Sequence, residues 1–440
     1  MKFVSISNPH IQMGLPEAVS ACIAPDGSLL LPERIPVLPG AFFNNISELT
    51  LREIAYVVVT SFFGDDLPPQ DLKRIADRAF AMDIPLSSPA GKGAPYLLEL
   101  YHGPTLTCKD FGAVFMAGII DWLRTRHKEN GNTRNILLAS AGYSAVAIAS
   151  AFRNIPDVEL FIVSPHGSLK RRRHSILSSF GPRIHILEAH GNIDNCNAMV
   201  RGFISESRSA GDLLVGGANS VNIARLIPPV VFFFHAYARL CAIHGPEKAA
   251  RAVYVVPCGN LTMLCAAVIA TRMGLPVGRI VASSSCRDAL GRYLRNDSDT
   301  STSPSDLAPS MNSAKPTNLP RLDALCGGRE GIEREIDTAS VSDDEIAETM
   351  RRMRPLLRSG LCPHSAVAWS VAERYSSQGV PVVALATSHP AVDIDIYTSV
   401  TGAPVELPHQ LTRLMNTRLA HVERLAPTVQ ALRKCVRNMK

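Results

Sequence analysis

From residue 135 onward, short apolar runs alternate with helical patterns, and this alternation constrains the fold more than any other feature. Residues 135–140, 158–164 and 183–188 read as buried strands, with helices predicted over 144–153, near 169–180 and near 193–208. The rhythm resumes with strands at 252–257, 279–283 and 380–386 and a helix over 262–273. Consecutive parallel strands need a crossover, usually a helix, so this spacing means βαβ units. The chain is therefore predicted to be α/β, with two parallel-sheet units and a ligand crevice between them.

Residues 1–95 lack that rhythm. Helical signals over 46–63 and 71–82 suggest a mainly helical N-terminal domain, followed by α/β domains at 96–225 and 226–440. The most apolar stretch, 226–243, is interrupted by two prolines, a histidine and an arginine, and reads as a buried helix starting after Pro229. The polar run 296–306 reads as a loop. Ten cysteines without a Cys-x-x-Cys pair, and no apolar leader, point to reduced thiols, no metal and a cytoplasmic protein. The net charge of +6 comes largely from Lys170–Arg173 and the C-terminal tail. With no aromatic interleaving it points to anionic small molecules and not to nucleic acid or membrane.

One lysine stands out. In His102-Gly-Pro-Thr-Leu-Thr-Cys-Lys-Asp-Phe-Gly112, the turn signal Gly103-Pro104 is followed by Lys109 at a predicted helix start backed by apolar residues. Apolar walls and the positive end of a helix both oppose an ammonium charge and favour the neutral, nucleophilic amine. A lysine snorkelling from a buried helix start is the alternative reading of the same residues.

The segment Glu99–Gly112 resembles the pyridoxal-phosphate (PLP) lysine segment of the threonine synthase family, in its longer bacterial and fungal form. The resemblance runs through most of the chain. It implies a fold-type-II PLP enzyme, similar to the tryptophan synthase β chain, in which Lys109 carries the cofactor. The implied reaction converts O-phospho-L-homoserine and water to L-threonine and phosphate, in a monomer or homodimer. Two alternatives stand beside it: a diverged relative performing β- or γ-replacement or elimination on another amino acid, and a non-catalytic relative.

Three further segments keep the family pattern in part. Ala139-Ser-Ala-Gly-Tyr-Ser144 is a strand-to-helix turn, which offers free N–H groups to an anion. The resemblance implies that Gly142 and Ser144 bind the substrate carboxylate. Tyr143 stands where the family has aspartate, and either bonds the cofactor or fills substrate space. Cys258-Gly-Asn-Leu-Thr262 matches the loop that cradles the PLP phosphate, implying roles for Gly259, Asn260, Leu261 and Thr262. Thr262 replaces a glycine there, so it either donates its hydroxyl to the phosphate or disfavours a positive φ. Ala218–Arg225 implies Asn219, Ser220 and Arg225 as holders of the substrate phosphate, a role that suits a guanidinium. Thr387, in Ala386-Thr-Ser-His-Pro-Ala391, is implied to bond the pyridine nitrogen, with His389 a structural hydrogen bonder. Lys170–Arg173, Ser285, Arg287, Asn312 and Cys362 depart from the family pattern, whereas Asp288, Pro320-Arg321 and Pro363-His364 keep it.

Overall fold

Two parallel sheets lie at the centre of the molecule. The computed structural model describes residues 1–126, 133–212, 214–286, 288–297, 305–313, 315–414 and 417–439. The first sheet has five strands, all parallel, in the spatial order Val422–Leu425, Ile184–Ala189, Val158–Pro165, Arg134–Ala139, Val215–Gly217. The second has six, in the order Ile336–Val341, Arg279–Ser285, Val253–Pro257, Val382–Ala386, Tyr96–Glu99, Leu86–Ser87. All its pairings are parallel except the last.

The predicted strands and helices of both units are present, shifted by one or two residues at most ends, as fraying ends allow. The division at residues 95 and 225 does not coincide with the sheets. Tyr96–Glu99 pairs with Val382–Ala386, and Val422–Leu425 pairs with Ile184–Ala189, so each sheet receives a strand from the other unit's stretch of chain. Both pieces are only four residues long, too short for a periodic signal, and only the tertiary pairing selects their partner. The N-terminal region contains the helices Leu51–Phe63 and Pro69–Ala79. It also holds a three-stranded antiparallel sheet formed by Phe3–Ser5, Gln12–Met13 and Leu30–Pro32. Residues 298–304 of the polar run, and Arg287, lie outside the described residues.

In each sheet one strand has the chain leaving in both directions. Arg134–Ala139 has Val158–Pro165 on one side and Val215–Gly217 on the other; Val253–Pro257 has Arg279–Ser285 and Val382–Ala386. These are topological switch points, and ligands bind outside their carboxyl ends because the following loops diverge there. The turns Ser140–Gly142 and Cys258–Leu261 are those ends. The apolar stretch forms the helix Val230–His244, whose Phe232, Phe233 and Phe234 are buried in the core.

Candidate active site

Lys109 opens an eighteen-residue helix, Lys109–Arg126, and the turn before it is stitched to the end of strand Val382–Ala386. Cys108 N–H donates to Thr387 O at 2.8 Å, His389 N–H donates to Leu106 O at 3.0 Å, and Thr107 bridges Ser388. Thr387 is thus held through its carbonyl against Cys108, the residue just before the lysine. Leu106 takes a left-handed φ of 59°, unusual for a branched residue. The buried Asp110 carboxylate accepts from Thr105 N–H at 2.9 Å and Thr105 Oγ1 at 2.6 Å, which fixes the turn. Burial pushes Asp110 up to about 6. Gly103 is required here, since a Cβ would meet Asp110 Oδ2 at 2.4 Å.

Burial also pushes the Lys109 amine below its ordinary value, and the neighbouring Arg225 and Arg173 act in the same direction. Desolvation disfavours the charged ammonium, so the neutral amine is more accessible here than in water. The lysine helix lies close to Ile223–Leu226: a Cβ on Gly112 would approach Arg225 O to 3.3 Å. Arg225 is buried and donates to Ala218 O at 2.7 Å, and burial lowers its guanidinium to about 10. Asn219 accepts from Ala139 N–H at 3.1 Å and donates to Ala139 O and Asn197 Oδ1, which ties this segment to the end of strand Arg134–Ala139. The structure therefore brings Lys109 and Arg225 together with Thr387, and joins Asn219 to the start of the first turn, with Ser220 next to it in sequence.

That first turn is open. Gly142 is the N-cap of helix Tyr143–Phe152, and the space beyond it is empty of protein within 4 Å of a would-be Cβ. Ser144 follows in the first helical turn. Tyr143 is 4% exposed, yet its hydroxyl has no hydrogen-bond partner among the described residues. Burial pushes the phenol up to about 12. Tyr143 lines a cavity of about 590 Å³ with Arg172, Arg173, Asp393, Asp395 and Thr417. The rewritten 170–173 segment is thus a wall of the site.

The second turn is closed on itself. Thr262 is the first residue of helix Thr262–Arg272, and the left-handed conformation falls on Leu261, with φ 63°. The strain foreseen at Thr262 is absent, because the turn places its positive φ one residue earlier. The Thr262 hydroxyl donates to Asn260 Oδ1 at 3.0 Å and accepts from Asn318 at 3.0 Å, so its proton is already engaged. What the loop offers an anion is its backbone: among the described residues, no hydrogen bond engages the N–H groups of Gly259, Asn260 and Leu261. Gly259 is held close to the loop at Ser310, where a Cβ would meet Ser310 O at 3.0 Å.

A further group was legible only as a preserved Pro-His pair. His364 is buried, its Nε2 bonds Ser310 Oγ, and its Nδ1 lies 3.7 Å from Asp393 Oδ2. Burial lowers its basicity, opposed by Asp393 and aided by Lys109, which places this Ser-His-Asp line beside the lysine. No local pattern reveals it, because the three residues come from distant stretches. Cys362 caps helix Pro363–Glu373, accepting from Ser365 N–H at 3.4 Å. Cys258 and Cys362 are buried and Cys108 half-buried; desolvation raises all three thiols, and none has a histidine partner among the described residues. His389 accepts from Ala391 N–H at 3.1 Å, the structural role expected of it.

Comparisons with known proteins agree with this geometry. A family model described as "Pyridoxal-phosphate dependent enzyme" matches residues 86–387, and one described as "Threonine synthase N terminus" matches residues 2–80. Threonine synthase of Haemophilus influenzae is 30% identical over 415 residues, 94% of each chain. That of Escherichia coli is 28% identical over 439 residues, 100% of each chain. The crystal structure of threonine synthase from Escherichia coli superposes with a TM-score of 0.88 at 27% identity, over 100% of each chain. The PLP-bound threonine synthase of Brucella melitensis gives 0.86 at 27%, over 100% of this chain and 99% of that one.

Proposed function

The chain belongs to the threonine synthase family of PLP-dependent enzymes, and from that premise we propose that Lys109 and the two switch-point turns form its active site. The enzyme converts O-phospho-L-homoserine and water to L-threonine and phosphate, with PLP as cofactor. The observation that carries the site assignment is the half-buried lysine, its ammonium form disfavoured, between an open turn and a backbone-lined cradle.

The residues present fit PLP. Lys109 has no hydrogen bond or ion pair among the described residues, and the unengaged N–H groups of Gly259, Asn260 and Leu261 lead into the start of helix Thr262–Arg272. Lys109 would hold the cofactor covalently, those N–H groups its phosphate, and Thr387 its ring nitrogen. When bound, PLP supplies an electron sink beside the substrate's Cα and Cβ.

The chain's own residues do the rest. Gly142 and Ser144 orient the carboxylate at the uncapped start of helix Tyr143–Phe152. Asn219, Ser220 and Arg225 bind the phosphate end, with the guanidinium offering a planar pair of donors. Lys109 Nζ, whose ammonium form is disfavoured by desolvation, takes the Cα proton and then a Cβ proton as the Cγ–O bond breaks and phosphate leaves with the electron pair. Protons return to Cγ and Cα, the hydroxyl of water adds at Cβ, and the water's remaining proton goes to the departed phosphate. We read the enzyme as cytoplasmic, where its ten unpaired cysteines stay reduced, and as a monomer or homodimer.

The test is an assay of PLP-loaded protein with O-phospho-L-homoserine, reading threonine and phosphate together, with Lys109→Ala as the blank. Equal amounts of both products, absent from the blank, are expected. Borohydride reduction should label Lys109 in a peptide map; label elsewhere would refute its assignment.

A further inference from the structure

The cavity beside Tyr143 has an unusual electrostatic wall. Lys170, Arg171, Arg172 and Arg173 all line it, against two carboxylates, Asp393 and Asp395. Lys170 and Arg172 lie 3.9 and 3.8 Å from Asp395, and Asp393 faces His364. Arg171 and Arg173 have no carboxylate at ion-pair distance among the described residues. Arg171 is exposed, but Arg173 is partly buried, where an unpaired guanidinium is costly unless something anionic meets it.

Two other groups face the same space without partners. The helix Arg171–Ser178 has no side-chain cap at its start, so the N–H groups of its first turn are unsatisfied and lie at its positive end. The Tyr143 hydroxyl is buried and orphaned on the cavity lining. A buried hydroxyl without a partner is normally met by a ligand or water. A guanidinium, an O–H and free helix N–H groups are all donors, and together they suit a tetrahedral oxyanion. A cavity of about 590 Å³ exceeds a free phosphate and falls in the range of small-molecule sites, so the anion is one end of a larger molecule.

We propose that Arg173, the Tyr143 hydroxyl and the start of helix Arg171–Ser178 form a phosphate subsite on the wall of the active-site cavity. It receives the phosphoryl end of the substrate on entry, before Asn219, Ser220 and Arg225 take it up for the reaction, and meets the phosphate again as it leaves, an assignment that rests on the function given above. Arg173 is then a specificity-determining residue: a substrate without an anionic far end lacks its partner. The proximity of Arg173 to Lys109 agrees with this, because its charge depresses the lysine.

The experiment titrates inorganic phosphate into the PLP-loaded protein by calorimetry, so that the cofactor's own phosphate cradle is already filled. Wild type, Arg173→Gln, Arg173→Lys and Tyr143→Phe are compared, with melting temperatures recorded as a check on folding. Arg173→Gln should weaken phosphate binding about tenfold or more, Tyr143→Phe about threefold, and Arg173→Lys should retain part of the affinity. The KM for O-phospho-L-homoserine should rise in the same order while kcat changes less. Equal phosphate affinity in wild type and a folded Arg173→Gln, or dependence on Arg225 alone, would overturn the subsite. Should wild type bind phosphate through Arg173 yet form no threonine, the subsite would stand and the substrate assignment would fall. Should threonine form normally with phosphate affinity indifferent to Arg173 and Tyr143, the reverse would hold.

Discussion

The two strand-to-helix turns that face the crevice differ in how they use their side chains. At Gly259–Thr262, Asn260 and Asn318 hold Thr262, Leu261 takes the left-handed position, and the N–H groups of Gly259, Asn260 and Leu261 are left unengaged among the described residues. At Gly142–Ser144 the turn is tied mainly by Ser140 to Gly142 N–H at 3.2 Å, and Tyr143 and its surroundings leave donors unsatisfied. The first is a preorganised receptor for an invariant group, such as a cofactor phosphate. The second leaves its shape to whatever fills the cavity, and on the function proposed above that is the substrate. Departures from the family pattern at Tyr143 and 170–173 fall on this second wall.

The largest effect should come from the residue both turns serve. Lys109→Ala should lower kcat by at least about 10³-fold, or about 4 kcal/mol, in a threonine-release assay. Survival of activity would break the view that the turns converge on it.

The rigidity of the closed turn depends on a buried arginine. Arg321 donates to Leu30 O at 2.8 Å, Val221 O at 2.8 Å and Asn318 Oδ1, joining the N-terminal sheet, the Asn219 segment and the cradle. Arg321→Met should destabilise the fold by about 3 kcal/mol, since it removes several charge-assisted bonds and leaves carbonyls bare. Chemical denaturation measures this, and a change under about 1 kcal/mol would show that the network is incidental.

Gly259→Ala should weaken PLP affinity about tenfold, because its Cβ crowds Ser310 O, whereas Gly142→Ala should leave PLP affinity nearly unchanged. Fluorescence titration of apo-protein with PLP separates the two; equal losses would erase the contrast between the turns.

Smaller effects test the open wall. Arg173 depresses Lys109, so Arg173→Gln should raise the lysine's pKa and shrink the neutral fraction at a given pH. The acid limb of the kcat profile should therefore move to higher pH, by less than about one unit. Tyr143→Phe should raise the melting temperature slightly, by about 1 kcal/mol in stability, because it removes an unsatisfied buried hydroxyl while weakening phosphate binding. A loss of stability instead would mean that the hydroxyl is satisfied in solution.

Much of this was written in local pattern. The βαβ rhythm, the buried helix after Pro229 and the lysine turn each depend on residues close in sequence, whose periodicity and turn chemistry act without distant partners. The segments around Lys109, Asn219 and Gly259 that match the family pattern could be placed at strand ends for the same reason.

Tertiary structure decided what depends on contact between distant stretches. Only pairing could assign Tyr96–Glu99 to the second sheet and Val422–Leu425 to the first, since a four-residue strand carries too little pattern to choose a neighbour. Only packing could show that Thr262 is engaged by Asn318, that Ser310, His364 and Asp393 form a line beside Lys109, and that residues 170–173 face Tyr143 across a cavity. A single chain states which groups exist and which local turns they favour. Whether a hydroxyl, a guanidinium or a lysine is left without a partner is settled by desolvation and by the groups that folding brings against it.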